Sequence, residues 1–132
     1  MSERDELFAL VDKTANIRLR MKDLEQQRRD IVEKCVAIRD KLLIEVNFER
    51  DDKGKPKWTN ERLRQAALSI RLRADTQFQE LKARRKGLDV EIDRLAVEHN
   101  KLVDKKYILM ADIAGPAMLG RVGDEKFPHV GP

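Results

Sequence analysis

The middle of this 132-residue chain carries the side chains best suited to chemistry with an anionic partner. In the segment Lys53-Gly54-Lys55-Pro56-Lys57-Trp58, three lysines alternate with Gly54 and Pro56, and the segment ends at the chain's single tryptophan. Lysine ammonium groups contact phosphates without reading bases, and an exposed indole ring stacks on a base. Four arginines follow on the next helical segment. We predict a nucleic-acid-binding site made of Lys53, Lys55, Lys57, Trp58, Arg62, Arg64, Arg71 and Arg73.

The charge distribution favours a partner at this one place. The net charge is only +4. Residues 47–86 carry 12 basic and 6 acidic side chains, whereas residues 1–46 carry 10 of each and residues 87–132 carry 6 basic and 8 acidic. A local basic excess suits nucleic acid, and it also suits an acidic protein surface. A third interpretation is that the lysines solubilise a loop while Trp58 packs over its end.

Other reactive side chains form no catalytic or metal-binding pattern. His99 and His129 have no histidine or cysteine partner at the spacing that a metal site requires. Residues 51–54 resemble the start of a calcium loop, but the closing ligands are absent. Glu91 and Glu98 share a helix face, where salt bridges to neighbouring basic residues account for them. We therefore predict a protein that is not an enzyme and uses no cofactor and no metal.

The elements that position the basic segment are two long apolar repeats. In the first repeat, apolar residues recur three and four apart, and no proline or glycine interrupts residues 1–53. This heptad pattern predicts a helix over residues 7–46. Its seam positions are Leu7, Leu10, Thr14, Ile17, Met21, Leu24, Arg28, Ile31, Cys35, Ile38, Leu42 and Glu45.

A break and a second repeat follow. Asp, Gly and Pro between residues 47 and 58 predict a turn, and Thr59 or Asn60 offers an N-cap for the next helix. Residues 60–110 then predict one helix, or two if Thr76 starts a new one through a capping box with Gln79. The second seam consists of Phe78, Leu81, Arg85, Leu88, Ile92, Leu95, His99, Leu102, Lys106 and Leu109.

These patterns predict an all-α fold: a long antiparallel coiled-coil helical hairpin over residues 1–110, followed by a flexible Gly/Pro-rich tail over residues 111–132. A turn centred near residue 53 would place Leu7 opposite His99. One two-helix interface buries little area for a chain of this size, so we expect a homo-oligomer. Without an apolar run at the N-terminus or a membrane-spanning stretch, we expect a cytoplasmic protein with no membrane partner.

The central segment also resembles a group of phage proteins. The run Gly54-Lys55-Pro56-Lys57-Trp58-Thr59-Asn60-Glu61-Arg62, then Ala66-Ala67-Leu68, Arg71-Leu72 and residues 75–81, is similar to small bacteriophage and prophage helical-hairpin proteins. Some of these lie near recombination or replication genes. The resemblance covers about 30 residues. It implies an accessory role beside single-stranded DNA or the proteins that handle it, in the host cytoplasm, and it implies no catalytic residue.

Together these observations predict a non-catalytic accessory protein of phage recombination or replication that binds nucleic-acid backbone through a basic hairpin loop, with weak sequence specificity. The alternative is a coiled-coil interaction or inhibitory module that docks on a host or phage protein. The long seam or the apolar residues of the tail would supply the contact surface in that case.

Overall fold

The part of the chain that the structure describes folds into three α-helices. A computed structural model describes residues 2–115 and Phe127. The helices are α1 (Glu3–Phe48), α2 (Glu61–Ala74) and α3 (Thr76–Ala114). Helix accounts for 86% of the described residues, and no strand occurs among them. The all-α prediction is confirmed, while the coiled-coil geometry and the antiparallel pairing stay predictions. Most of the predicted tail lies outside the described residues.

Helix α1 forms where the first heptad repeat predicted it and extends slightly beyond both ends. The hydroxyl of Ser2 accepts a hydrogen bond from the backbone N–H of Asp5 at 3.2 Å, which caps the helix. Three acidic residues in the first turn suit the positive end of the helix dipole. Of the 12 predicted seam positions, only Glu45 is exposed. The 3–4 spacing therefore identified the side of α1 that becomes buried.

Asp75 separates α2 from α3. Its backbone is extended, with φ −77° and ψ 111°, while its N–H still reaches the carbonyl oxygens of Arg71 and Leu72. Its carboxylate accepts from the N–H of Phe78 at 2.7 Å and so caps α3. The second repeat is thus two helices. The predicted cap at Thr76 was wrong, because Asp75 presents an acceptor one residue earlier, and the Gln79 amide instead donates to Leu72 O at 2.9 Å.

The chain divides into two compact units. The first unit comprises Met1–Gln26 and Leu88–Pro132, and the second comprises Gln27–Gly87. In the first unit, the N-terminal part of α1 packs on α3 around a small apolar core. The buried centre of that core and the partly buried residues packed against it are Met21, Leu24, Leu95, Ala96, Ile17, Leu88, Ile92 and Phe127.

The pairing of α1 with α3 in the first unit differs from the predicted register. His99 is fully buried and accepts a hydrogen bond from the Nε–H of Arg18 at 3.0 Å. The prediction placed His99 opposite Leu7, about 16 Å further toward the start of α1. It was wrong because a loop and a whole helix, not one tight turn near residue 53, separate α1 from α3. Arg85, a predicted seam position, is exposed.

The second unit has its own buried residues. The later half of α1, the loop, α2 and the start of α3 contribute to it. Its side chains with the lowest exposure are all apolar, so burial of apolar surface stabilises this unit as it does the first. They are Ile31, Val46, Ala67, Leu68 and Leu81.

Truncating one buried side chain tests the core of the first unit. Leu95 is 6% exposed, and we expect Leu95→Ala to lower the free energy of unfolding by about 2–4 kcal/mol, through reduced apolar burial and a residual cavity. Val90, on the same helix, is 65% exposed, and we expect Val90→Ala to change the free energy of unfolding by less than about 0.5 kcal/mol. Denaturant unfolding followed by circular dichroism measures both. Equal effects would show that this face of α3 is not the core.

Candidate nucleic-acid interface

Residues 49–60, the basic loop, form a short hydrogen-bonded hairpin between α1 and α2. Arg50 and Pro56 make an isolated antiparallel pair. On one side of it the Asp51 N–H donates to Lys55 O at 2.8 Å, and on the other the Lys57 N–H donates to Glu49 O at 3.0 Å. The three predicted lysines therefore stand on a defined backbone frame.

Asp51 closes the turn of the basic loop. Its Oδ1 accepts from the backbone N–H groups of Lys53 and Lys55, both at 2.9 Å. Its carbonyl oxygen accepts from the Gly54 N–H at 3.0 Å. Gly54 has φ +76°, a conformation that residues with a Cβ rarely adopt. Asp followed three residues later by Gly is a frequent turn signature, and here it holds two lysine backbones in place.

Glu49 fastens the basic loop to α2. Its carboxylate accepts from Lys57 Nζ at 3.1 Å and from Trp58 Nε1 at 3.3 Å, and it forms an ion pair with Arg71. The hydrogen bond from Lys57, then that from Trp58 and the contact with Arg71, hold the pKa of Glu49 below its usual value of 4.5. The Glu49 side chain is 27% exposed, so these contacts are partly shielded from water.

Arg64 makes the second connection between the loop and α2. Its guanidinium donates to Trp58 O at 3.4 Å and pairs with Glu61 at 3.2 Å. Asn60 caps α2 as predicted, because its side chain accepts from the Leu63 N–H at 2.9 Å. Arg64 and Arg71 are seven residues apart on one helix face, and each is 31% exposed. That face of α2 holds the loop.

The eight predicted residues therefore fall into two groups of four. The loop-holding group makes the contacts just described and consists of Lys57, Trp58, Arg64 and Arg71. The exposed group, which we call the open cations, consists of Lys53, Lys55, Arg62 and Arg73. On α2, Arg62 and Arg73 share one face about 16 Å apart, with the exposed small residues Ala66 and Ser69 between them.

A groove lies beside Trp58. It has a volume of about 460 Å³ and combines apolar walls with polar side chains. Lys57 Nζ stands 5.2 Å from the centre of the indole ring, a cation–π contact, and the indole is half-buried. The groove is lined by Leu43, Asn47, Pro56, Trp58, Glu61, Arg64 and Gln65. A flat aromatic wall with amide groups nearby is chemically suited to an unstacked nucleobase.

Sequence reasoning missed Glu49, the residue that organises the site. Its partners lie 8, 9 and 22 residues along the chain, so no local motif records the cluster. It was one of several charges in a polar break. The one available signal was Trp58, because a partly buried indole N–H needs an acceptor.

Two other kinds of feature are absent from the described residues, a metal-binding cluster and a membrane-spanning helix. Within them, no group of three or more His, Cys, Asp and Glu side chains is placed to hold a metal ion. No helix in the same part of the chain has an apolar stretch long enough to cross a bilayer. Glu91 pairs with Arg94 at 2.6 Å, and Arg94 also reaches Glu98 at 3.5 Å, so these carboxylates belong to a surface ion-pair network.

The two units differ in charge. The residues of the second unit include 17 basic and 10 acidic side chains, a net charge of +7. Those of the first unit include 11 basic and 14 acidic side chains, a net charge of −3. The open cations all belong to the strongly basic unit.

Comparison with known proteins adds no relative. No family model matches the chain, and no curated protein and no solved structure is detectably similar to it. The resemblance to phage hairpin proteins stays a prediction.

Lowering the pH tests the role of Glu49. A carboxylate whose pKa is lowered on folding contributes stability that is present above its unfolded pKa and disappears as pH falls through the lowered value. For Glu49 this decrease occurs below about 4.5. We expect the emission of Trp58, the single tryptophan, to change in that range as the loop detaches.

Glu49→Gln is the matched variant, since it keeps the size of the side chain but cannot lose a charge. At neutral pH, we expect the Trp58 emission of this variant to resemble that of the wild type at low pH. Below pH 4.5, we expect no further change in the emission of the variant. Identical pH profiles for the two proteins would show that Glu49 does not control the loop.

Proposed function

We propose that the second unit binds single-stranded nucleic acid, mainly through its phosphates, and that the protein acts as a non-catalytic accessory factor in recombination or replication. The observation that carries the proposal is the division of the basic residues. Three of them hold the loop and its tryptophan, and the four open cations face solvent on the same strongly basic unit.

A preformed loop lowers the cost of binding. The turn closed by Asp51 and the contacts of Glu49 fix the backbone of the basic loop before any ligand arrives. Less conformational entropy is then lost on association, so modest contacts to phosphate suffice. Lys53, Lys55 and the exposed α2 arginines carry their charge on flexible side chains, which can follow a backbone without reading sequence. Self-association would add further contacts and raise avidity.

Trp58 and its groove favour a single strand over a duplex. In a duplex the bases are stacked inside and offer no face to an indole, whereas an unpaired base can stack on an aromatic side chain. Glu49 and Arg64 hold Trp58 at both its ring nitrogen and its carbonyl oxygen, so the ring has a defined place beside the groove. The groove is close in sequence and in space to the lysines that would hold the phosphates.

Neutralising the open cations tests the proposal. We expect the combined change Lys53→Gln, Lys55→Gln, Arg62→Gln and Arg73→Gln to weaken binding of single-stranded DNA. The log–log salt dependence should flatten by about 0.7 for each phosphate that the variant no longer neutralises. Titration of a labelled oligonucleotide at about 50 and 200 mM salt measures both. Circular dichroism checks the fold, which we expect to be unchanged because these side chains are exposed.

The matched control removes the same charge from the first unit. Four exposed lysines there can be changed to glutamine, and we expect this control to bind nearly as the wild type does: Lys13, Lys22, Lys101 and Lys105. Equal weakening in the two variants would show that net charge, not the open cations, drives binding. A wild-type protein that binds no nucleic acid at low salt would overturn the proposal.

Trp58 gives a separate test, because it is the chain's single tryptophan and reports on itself. We expect single-stranded DNA to quench its fluorescence, and an abasic strand of equal length to bind with little quenching. Trp58→Ala should cost about 1–3 kcal/mol of binding with little change in salt slope, and Trp58→Phe, which keeps a ring, should lose less. Equal quenching by both strands would exclude base stacking.

A second candidate function is docking on an acidic protein. The second unit exposes apolar side chains as well as cations: Ile44 and Phe48, one turn apart on α1, are 57% and 69% exposed. Ile70 on α2 is 64% exposed. Aromatic and apolar groups beside arginines are typical of protein interfaces. This candidate is favoured if nucleic acid fails to bind and if Phe48→Ala, but not Val90→Ala, abolishes capture of a purified acidic partner.

A further inference from the structure

The groove beside Trp58 contains a negative charge that phosphate binding does not explain. Glu61 lines this groove together with the indole of Trp58 and the amides of Asn47 and Gln65. A carboxylate repels a phosphate, so Glu61 is out of place if the groove receives only the backbone of a nucleic acid. A carboxylate accepts hydrogen bonds, and it therefore suits a neutral group that donates them. The edge of a nucleobase is such a group.

The carboxylate of Glu61 is held in place and can still accept further hydrogen bonds. Its Oε1 accepts from the Gln65 amide at 2.8 Å, and its Oε2 pairs with Arg64 at 3.2 Å. A carboxylate accepts about four hydrogen bonds, so these two contacts leave both oxygens able to accept another. The hydrogen bond from Gln65, then that from Arg64, hold the pKa of Glu61 below its usual value of 4.5, and the group is ionised at neutral pH. The side chain is 70% exposed, so a ligand can reach it.

Trp58 presents part of its ring to the same groove. Lys57 Nζ stands 5.2 Å from the centre of the indole, but the residues that line the groove do not include Lys57. The part of the ring that lines the groove therefore lies away from this cation. A base that stacks on it lies in the groove that Glu61 also lines, three residues further along the chain. One aromatic wall and one carboxylate thus act on the same base.

Guanine is the common base whose Watson–Crick edge fits a carboxylate. It carries N1–H beside the N2 amino group, and these two donors match the two carboxylate oxygens. Adenine and cytosine each present an amino group beside a ring nitrogen that accepts, and thymine presents one N–H between two carbonyl oxygens. Those acceptors would face the carboxylate of Glu61 and be repelled by it. The Watson–Crick edge is open in a single strand and is used for pairing in a duplex.

We propose, on the basis of the nucleic-acid function proposed above, that the groove between Trp58 and Glu61 binds an unpaired guanine of a single strand. The indole stacks on the base, and the Glu61 carboxylate accepts from N1–H and from the N2 amino group. The Asn47 amide, which lines the same groove, supplies a donor for the guanine O6. The open cations bind the neighbouring phosphates without reading sequence. One position of the bound strand is therefore read as guanine.

Strands that differ at one base test this recognition with the wild-type protein. A labelled thymidine strand carries guanine, adenine, cytosine or hypoxanthine at its centre, and fluorescence anisotropy measures its affinity. We expect the guanine strand to bind at least about fivefold more tightly than the other three, as a bidentate contact discriminates by at least this factor. Hypoxanthine keeps N1–H and lacks the amino group, so it isolates the second hydrogen bond. Equal affinity for the guanine and hypoxanthine strands would rule out the contact with two donors.

Two glutamine variants test whether Glu61 is the residue that reads guanine. Glutamine keeps the size of the side chain but replaces one acceptor oxygen with a donor. We therefore expect Glu61→Gln to bind the guanine strand no better than an all-thymidine strand. Glu80→Gln removes the same charge from another exposed position of the second unit and should keep the preference. Circular dichroism and Trp58 emission check the helices and the loop of each variant. A Glu61→Gln protein that still prefers guanine would contradict the proposal.

The same titrations separate failure of the guanine site from failure of nucleic-acid binding. Equal affinity for all four strands would overturn the guanine site and leave phosphate binding intact, whereas a wild-type protein that binds no strand at low salt would overturn both. Free dGMP tests a guanine nucleotide as the other source of this base. We expect equimolar dGMP not to displace the guanine strand, because it lacks the neighbouring phosphates that the open cations bind. Complete displacement would overturn recognition of guanine within a strand.

Discussion

The basic loop of the second unit depends on one carboxylate, that of Glu49. It stands directly after α1 and accepts hydrogen bonds from Lys57 and Trp58 while pairing with Arg71. These contacts tie the returning half of the basic loop and the last turn of α2 to the end of α1. A carboxylate shared by two cations and an indole N–H is well satisfied, which is why its pKa is lowered. Without it, Lys57 and Arg71 would lose the carboxylate that they share, and the Trp58 indole N–H would lose its acceptor.

That arrangement divides the arginines of α2 into two sets with different roles. The two arginines on the inner face of α2, Arg64 and Arg71, are satisfied by loop groups and by carboxylates. Arg62 and Arg73, on another face, remain exposed. A helix with arginines on two faces therefore holds its loop with one pair and presents the other. The cations that hold the fold together and the cations available to a ligand are therefore different residues. Substitutions in the first set should lower stability, and substitutions in the second set should weaken binding.

The first unit has a narrow core between two helices, and a residue from beyond those helices completes it. Apolar seams from α1 and α3 bury a small cluster, and Phe127 adds an aromatic ring at its edge. The contact is polar at the backbone, through Asn100, and apolar at the ring, through His99.

The sequence alone determined the helical class, the buried face of α1 and the end of that helix, because these follow from local periodicity and from turn residues. Nine of the ten predicted seam positions of the second repeat are also at least partly buried, Arg85 being the exception. The cap at Asn60 followed from its side-chain chemistry. The basic segment could also be found from the sequence, because an excess of Lys and Arg in one stretch can be counted without a structure.

Tertiary structure alone decided which of those cations are open and which are used. Lys57 looks like Lys55 in sequence. Helical spacing places Arg71 and Arg73 on different faces, but only the position of Glu49 in space shows which face meets a carboxylate. The sequence also could not predict the register of α1 on α3 or the contact of Phe127 with Asn100. The physical reason is the same in each case. Hydrogen bonds and ion pairs between residues distant in the chain depend on how the helices are placed, and periodicity records which face is buried but not what it is buried against.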